Sequence, residues 1–220
     1  MGEPHSASAP TLAIPEIRDY QRINEELVLL LQEGHSRVRL AGSEGQRLLT
    51  FRLSGPWNAV VEIEGRAGPE LAAEMNAPGV TVVCRGSAGD GAGRGLRAGR
   101  VVILGDAGDV VGYTQEGGII VVAGSAGPRA GLAQRGGELV ILGRVGPLAV
   151  ERQAGGTVFA SAALLGPHAE RGRRGGRLVR LAAGDNPLAT LEPGDAESLR
   201  RLARELAEWV ALPGAAPPRS

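Results

Sequence analysis

The residues able to do chemistry are few and scattered. Cys84 is the single cysteine, and Arg85 beside it is a charge that can activate a thiol. No histidine stands near it in sequence to complete a dyad, and a cysteine in an apolar run packs as a small hydrophobe. The three histidines are His5, His35 and His168, and none has a sequence-near ligand to share a metal with. Asp90, Asp106 and Asp109 offer carboxylates for acid–base work. Each adjoins a glycine, where aspartate is ordinary turn material. Arg171, Arg173, Arg174 and Arg177 form a local basic cluster, able to take an acidic partner or a nucleotide, or to face solvent. The phrase Gly86-Ser-Ala-Gly89-x-x-x-Gly93 is glycine-rich but is neither a dinucleotide fingerprint nor a P-loop. No helix opens after it, and no Gly-Lys-Ser/Thr follows. No residue is therefore assigned a catalytic, cofactor-binding or metal-binding role.

The elements that carry these residues are set by a repeat. Gly86, Gly89 and Gly93 recur as Gly105, Gly108 and Gly112, and again as Gly124, Gly127 and Gly131. The steps from Gly86 to Gly105, Gly124 and Gly143 are each 19 residues. Degenerate copies flank these, at Gly65-Arg-Ala-Gly68 and at Gly143-Arg-Val-Gly146, with Ala72 and Val150 in place of the third glycine. A second marker, one glycine ahead of each apolar run, stands at Gly79, Gly99, Gly118, Gly137, Gly156 and Gly176, with steps of 20, 19, 19, 19 and 20 residues. Runs such as Ile119-Ile120-Val121-Val122 are β-branched and too short for a helix. Flanking glycines permit positive φ and sharp corners. The pattern predicts an all-β fold: a right-handed, single-stranded parallel β-helix of six to seven coils over residues 55–184, stacked at about 4.8 Å per coil. A leucine-rich repeat is the structural competitor, but its Leu and Asn ladder is absent.

Composition agrees. The chain has 220 residues, 35 of them glycine, and only 3% aromatics, which suits thin aliphatic layers and tight turns. Formal net charge is zero, so no global field draws nucleic acid or an anionic membrane. All basic residues other than histidine are arginine. One cysteine excludes an internal disulfide framework and a Cys-based zinc or iron–sulfur site within the chain. No run of about 18 apolar residues exists. Residues 1–15 lack a basic region followed by an apolar one, so no signal peptide is read and the cytoplasm is the expected compartment.

The flanks complete a three-part organisation. Residues 1–54 are read as a leader, disordered over residues 1–12, then a capping helix over residues 17–33 and short strands at Arg37–Leu40 and Leu48–Leu53. Residues 185–220 are read as a turn, a helix capped by Asp195 and running to about Leu212, and a disordered tail from Pro213. The helix has an apolar stripe at Leu199, Leu202, Leu206, Trp209 and Val210. Aligning the strands shows that two neighbouring columns are apolar. One must line the lumen; the other, Val102, Val121, Val140 and Phe159, must point outward. An outward apolar band needs a cover. It is either a seat for a terminal helix or a surface for a partner protein, and the exposed area of those four residues separates the two.

The glycine repeat, with phrases such as Gly105-Asp-Ala-Gly-Asp-Val-Val-Gly112 and Glu116-Gly-Gly-Ile-Ile-Val-Val-Ala-Gly124, resembles the GXGXG family. That family includes the third, C-terminal domain of the glutamate synthase large subunit. It also includes a structural subunit of formylmethanofuran dehydrogenase and its counterpart in the related formyltransferase/hydrolase complex. The lead-in Ile17-Arg-Asp-Tyr-Gln-Arg-Ile-Asn-Glu-Glu-Leu is similar to that of the glutamate synthase domain, which favours that branch. The resemblance implies a β-helix with no catalytic residue of its own, a structural or coupling subunit of an oxidoreductase complex in glutamate biosynthesis. Its implied partners are amidotransferase-like and FMN-binding synthase-like chains, which would carry the FMN and iron–sulfur cofactors. The alternative is a structural subunit of a formylmethanofuran dehydrogenase or formyltransferase/hydrolase complex. An autonomous hydrolase is the third class, and three histidines leave little material for it.

Overall fold

Short β-branched runs separated by glycine-rich turns cannot bury a face alone, so each coil must lie on its neighbour. The computed structural model describes residues 9–182 and 191–210 and shows that stacking. Nine strands form one parallel sheet in strict chain order. They are β1 (Thr11–Ala13), β2 (Arg37–Gln46), β3 (Ala59–Ala67), β4 (Asn76–Cys84), β5 (Ala98–Ile103), β6 (Ile119–Val122), β7 (Arg135–Ile141), β8 (Gly155–Ser161) and β9 (Arg177–Leu181). The result is a parallel β-solenoid of about seven turns with N- and C-terminal capping helices. Register keeps like residues in columns: Val101, Ile120, Leu139, Val158 and Leu178 stack into the lumen. A second, single-residue ladder links Ala67, Ala88, Ala107, Ala126, Val145 and Leu165.

The third side of each coil is a turn in which alternate residues take positive φ. Leu48, Thr50 and Arg52 do so in the first turn, and Val110, Gly112 and Thr114 in a middle one. The cost of left-handed backbone at non-glycine residues, about 1–2 kcal/mol each, is offset by hydrogen bonds in both directions along the stack. The Val110 and Thr114 N–H groups donate to Pro128 and Leu132 of the next coil, and the Gly112 N–H donates to Ala92 of the previous one. Residues 48–53 are thus such a turn and not the strand their apolar composition suggests. The sheet also extends ahead of Gly55, through β1 and β2.

Glycine has two distinct uses here. Gly93, Gly112 and Gly131 hold φ of +67 to +69° in the turns. Gly86, Gly89, Gly105, Gly108, Gly124, Gly127, Gly143 and Gly146 show no such φ. A Cβ on any of these would strike the coil below, as at Gly143, where it would fall 2.6 Å from the Gly124 carbonyl carbon and oxygen. They are contact points between backbones more than they are corners.

The N-terminal end is closed by α1 (Ile14–Ile17) and α2 (Tyr20–Gln32), which break at Arg18 where one helix was expected. The Asp19 side chain accepts from the Gln21 N–H to restart the helix. Ile23, Leu27 and Leu31 are buried against the first coil. Asn24 Nδ2 donates to Leu48 O and its Oδ1 accepts from the Thr50 N–H, both at 2.8 Å, which fixes the helix to the first turn. Thr11–Ala13 pairs with β2, so the expected disordered leader does not extend through residue 12; residues 1–8 lie outside the described residues.

Candidate interaction surface

The outward column of the sheet is the only extended apolar feature of the described outer face that the sequence foresees. Its residues alternate with the lumen column, and the register places Val83, Val102, Val121, Val140, Phe159 and Val179 in line. Val102, Val121, Val140 and Phe159 are 4%, 2%, 2% and 1% exposed. α3 (Pro193–Val210) lies over part of this band: Leu199 and Leu202 form one small apolar cluster with Val121, Val140 and Phe159, separate from the lumen core. Ion pairs set its direction. Arg177 of β9 binds Asp195, Glu138 of β7 faces Arg201 at 3.9 Å, and Arg100 of β5 meets Glu205 at 3.3 Å. The helix therefore runs back along the stack from β9 towards β5. Asp195, expected as its cap, lies in its first turn and spends both carboxylate oxygens on Arg177. The side chains of Leu206, Trp209 and Val210, and the tail from residue 211, lie outside the described residues.

The same outer face changes character at β2 to β4. Glu62 takes the column position there and is 2% exposed, held by Arg37 at 2.7 Å and Arg85 at 3.1 Å. Burial alone would raise its carboxyl; the hydrogen bond and charge of Arg37, with those of Arg85, outweigh it and hold the group below its usual range.

The other candidates for chemistry are structural in placement. Cys84 stands in a lumen column between Ile63 and Ile103, fully buried, and burial pushes its thiol up to about 11. Arg85 beside it turns outward to Glu62. His168 sits in the last turn with φ +59° and is exposed, whereas His35 neighbours Glu33 at 3.7 Å near the other end. His5 lies outside the described residues. The aspartates cross-link coils. Asp90 Oδ1 accepts from the Asp109 N–H at 2.8 Å, and Asp106 Oδ1 accepts from the Ser125 N–H at 2.7 Å. Of the basic cluster, Arg173 pairs with Glu170 and Arg177 with Asp195, while Arg171 and Arg174 are exposed. Among the described residues, no three His, Cys, Asp or Glu side chains converge to hold a metal, and no helix is long and apolar enough to cross a membrane.

One buried polar feature has no counterpart among the residues singled out from the sequence. Gln115, Gln134 and Gln153 are fully buried and stacked 19 residues apart. Gln134 Nε2 donates to Gln115 Oε1 at 3.1 Å, and Gln153 Nε2 donates to Gln134 Oε1 at 2.8 Å. The three earlier coils place Leu53, Met75 and Leu96 at the same point of the turn. The common spacing was the available signal.

No family model matches the chain, and no curated protein does. A solved structure does. The X-ray crystal structure of the formyltransferase/hydrolase complex from Methylorubrum extorquens, in complex with methylofuran, contains a chain 29% identical to this one. The match covers 82% of this chain and 68% of that chain, with a TM-score of 0.57. The chain is homologous to that β-helical component of the complex.

Proposed function

We propose that this chain is a non-catalytic structural subunit of a multi-chain complex of the formyltransferase/hydrolase type. The observation that carries the reading is the homology to a chain of such a complex across most of both lengths. It favours the formyl-transferring branch over the glutamate-synthase branch that the lead-in helix suggested. The geometry is consistent with a scaffold: Asp90 and Asp106 are spent on coil-to-coil bonds, Arg85 on an ion pair with Glu62, and Cys84 faces the lumen. In the isolated chain the outer apolar column already carries α3. On this reading partners meet other parts of the rod, or displace that helix.

Loss and replacement of the chain in its native cells tests this reading. Without it, formyltransferase/hydrolase activity of the extract falls and the assembly comes apart. Replacement with a chain carrying Cys84→Ala and His168→Ala restores both. Full activity without the chain, or failure of a folded double variant to restore it, would contradict the proposal.

A further inference from the structure

The last coil departs from those beneath it. Stacking places Glu170 over Val150, Arg173 over Gln153 and Arg180 over Ala160, and all three lower positions are buried. The three upper residues are charged and joined. Glu170 Oε1 meets Arg173 Nη2 at 3.1 Å, and its Oε2 binds Arg180 Nη2. An ionic cluster thus replaces the buried layer of Val150, Gln153 and Ala160 at the C-terminal end of the rod. Arg173 turns to this cluster although Gln153 Oε1, fully buried below it, has no hydrogen-bond partner. The guanidinium is held towards the end surface and away from a buried acceptor of the same column. Arg171 and Arg174, both exposed, flank the cluster. Five arginines between residues 171 and 180 thus share two described carboxylates, those of Glu170 and Asp195.

We propose that this end of the solenoid is a docking surface for a carboxylate-rich segment of a partner protein, taken by Arg171, Arg174 and Arg180. The proposal rests on the reading of the chain as one member of a complex. Guanidinium groups offer paired N–H donors that match carboxylates, and Arg177 already shows that geometry on the two oxygens of Asp195. Nucleic acid is disfavoured, since residues 166–182 contain no Phe, Tyr or Trp for base stacking and the chain has zero formal net charge.

Fluorescence anisotropy with a labelled deca-aspartate peptide and the full chain at low salt is the test. Arg171→Glu with Arg174→Glu should weaken binding by about tenfold or more, and added salt should weaken it further. Arg200→Glu with Arg204→Glu, on exposed positions of α3, should leave it within about twofold. Melting curves establish that both variants fold, and Arg180→Gln supplies a milder third variant that should also weaken binding. No peptide binding, equal loss in the end and α3 variants, or tighter binding of an oligothymidylate would overturn the proposal. The assay needs no partner chain, so its outcome is separate from that of the reading on which the proposal rests.

Discussion

Substituting one member of the glutamine ladder should destabilise the solenoid more than substituting all three. Gln134→Leu removes both amide-to-amide bonds of the ladder. Gln153 Nε2 keeps carbonyl acceptors at Gly156 and Arg177, but Gln115 Oε1 loses its donor while fully buried. One orphaned buried acceptor costs about 1–3 kcal/mol. At about 2 kcal/mol, a chain of this size loses roughly 4–8 °C in Tm. Replacing Gln115, Gln134 and Gln153 together by Leu leaves no orphaned amide; carbonyls such as Gly117 and Gly156 lose a side-chain donor, but the coils below already carry Leu53, Met75 and Leu96 at this position. The triple variant should stay within about 1 kcal/mol of the parent, because no buried amide is left without its partner and the same turn tolerates Leu53, Met75 and Leu96. Urea denaturation followed by circular dichroism measures both. A neutral single variant, or a triple variant losing three times the single, would show that the orphaned amide does not set the cost.

Further outcomes follow from the same structure. Gly143→Ala drives a Cβ into the Gly124 backbone 2.6 Å away and should cost about 3 kcal/mol, at the upper end for overpacking. Gly112→Ala, whose Cβ would stand 3.3 Å from Leu139 Cδ2 in a turn whose equivalent sites hold Ala72 and Val150, should cost only about 1 kcal/mol by chemical denaturation. Glu62 stabilises the fold above its unfolded-state pKa of about 4.5, because its folded pKa is lowered. That contribution is lost as pH falls through the lowered value, so the stability gap between parent and Glu62→Gln should close below about pH 4.5 in acid titrations. Cys84, with its thiol raised to about 11 and fully buried, should resist a disulfide reagent in the native chain and react at once in denaturant. Deleting residues 191–220 should keep the β-sheet circular dichroism while opening a dye-binding site over Val121, Val140 and Phe159; loss of the β signal would show that α3 is needed to fold the rod.

The solenoid was legible because two glycine markers share one period, and because the β-branched runs between them are too short for helices. What the glycines do was less legible. A Cβ collision such as that of Gly143 with Gly124 depends on the coil below, which one coil's sequence does not display. Leu48–Leu53 misled for a related reason: its apolar residues suggest a strand, while inter-coil bonds hold Leu48 and Arg52, and the Asn24 side chain holds Thr50, at positive φ. The glutamine ladder escaped because hydrophobic alignment passes over polar residues, although the spacing of 115, 134 and 153 matched the repeat. The outward column was readable from strand alternation. Its cover was not, since α3 lies far along the chain and its stripe names no seat. The ionic cluster of Glu170, Arg173 and Arg180 becomes visible only when the last coil is stacked on the one below.

This rod of stacked coils is proposed to work as one chain among several. Native mass spectrometry of the chain, tagged at its chromosomal locus and purified at low salt, tests it most directly. The 22.6 kDa chain should appear within a larger assembly whose other members include formyltransferase/hydrolase-type chains. Recovery of the 22.6 kDa species alone, or with amidotransferase and FMN-binding chains in place of those partners, would contradict it.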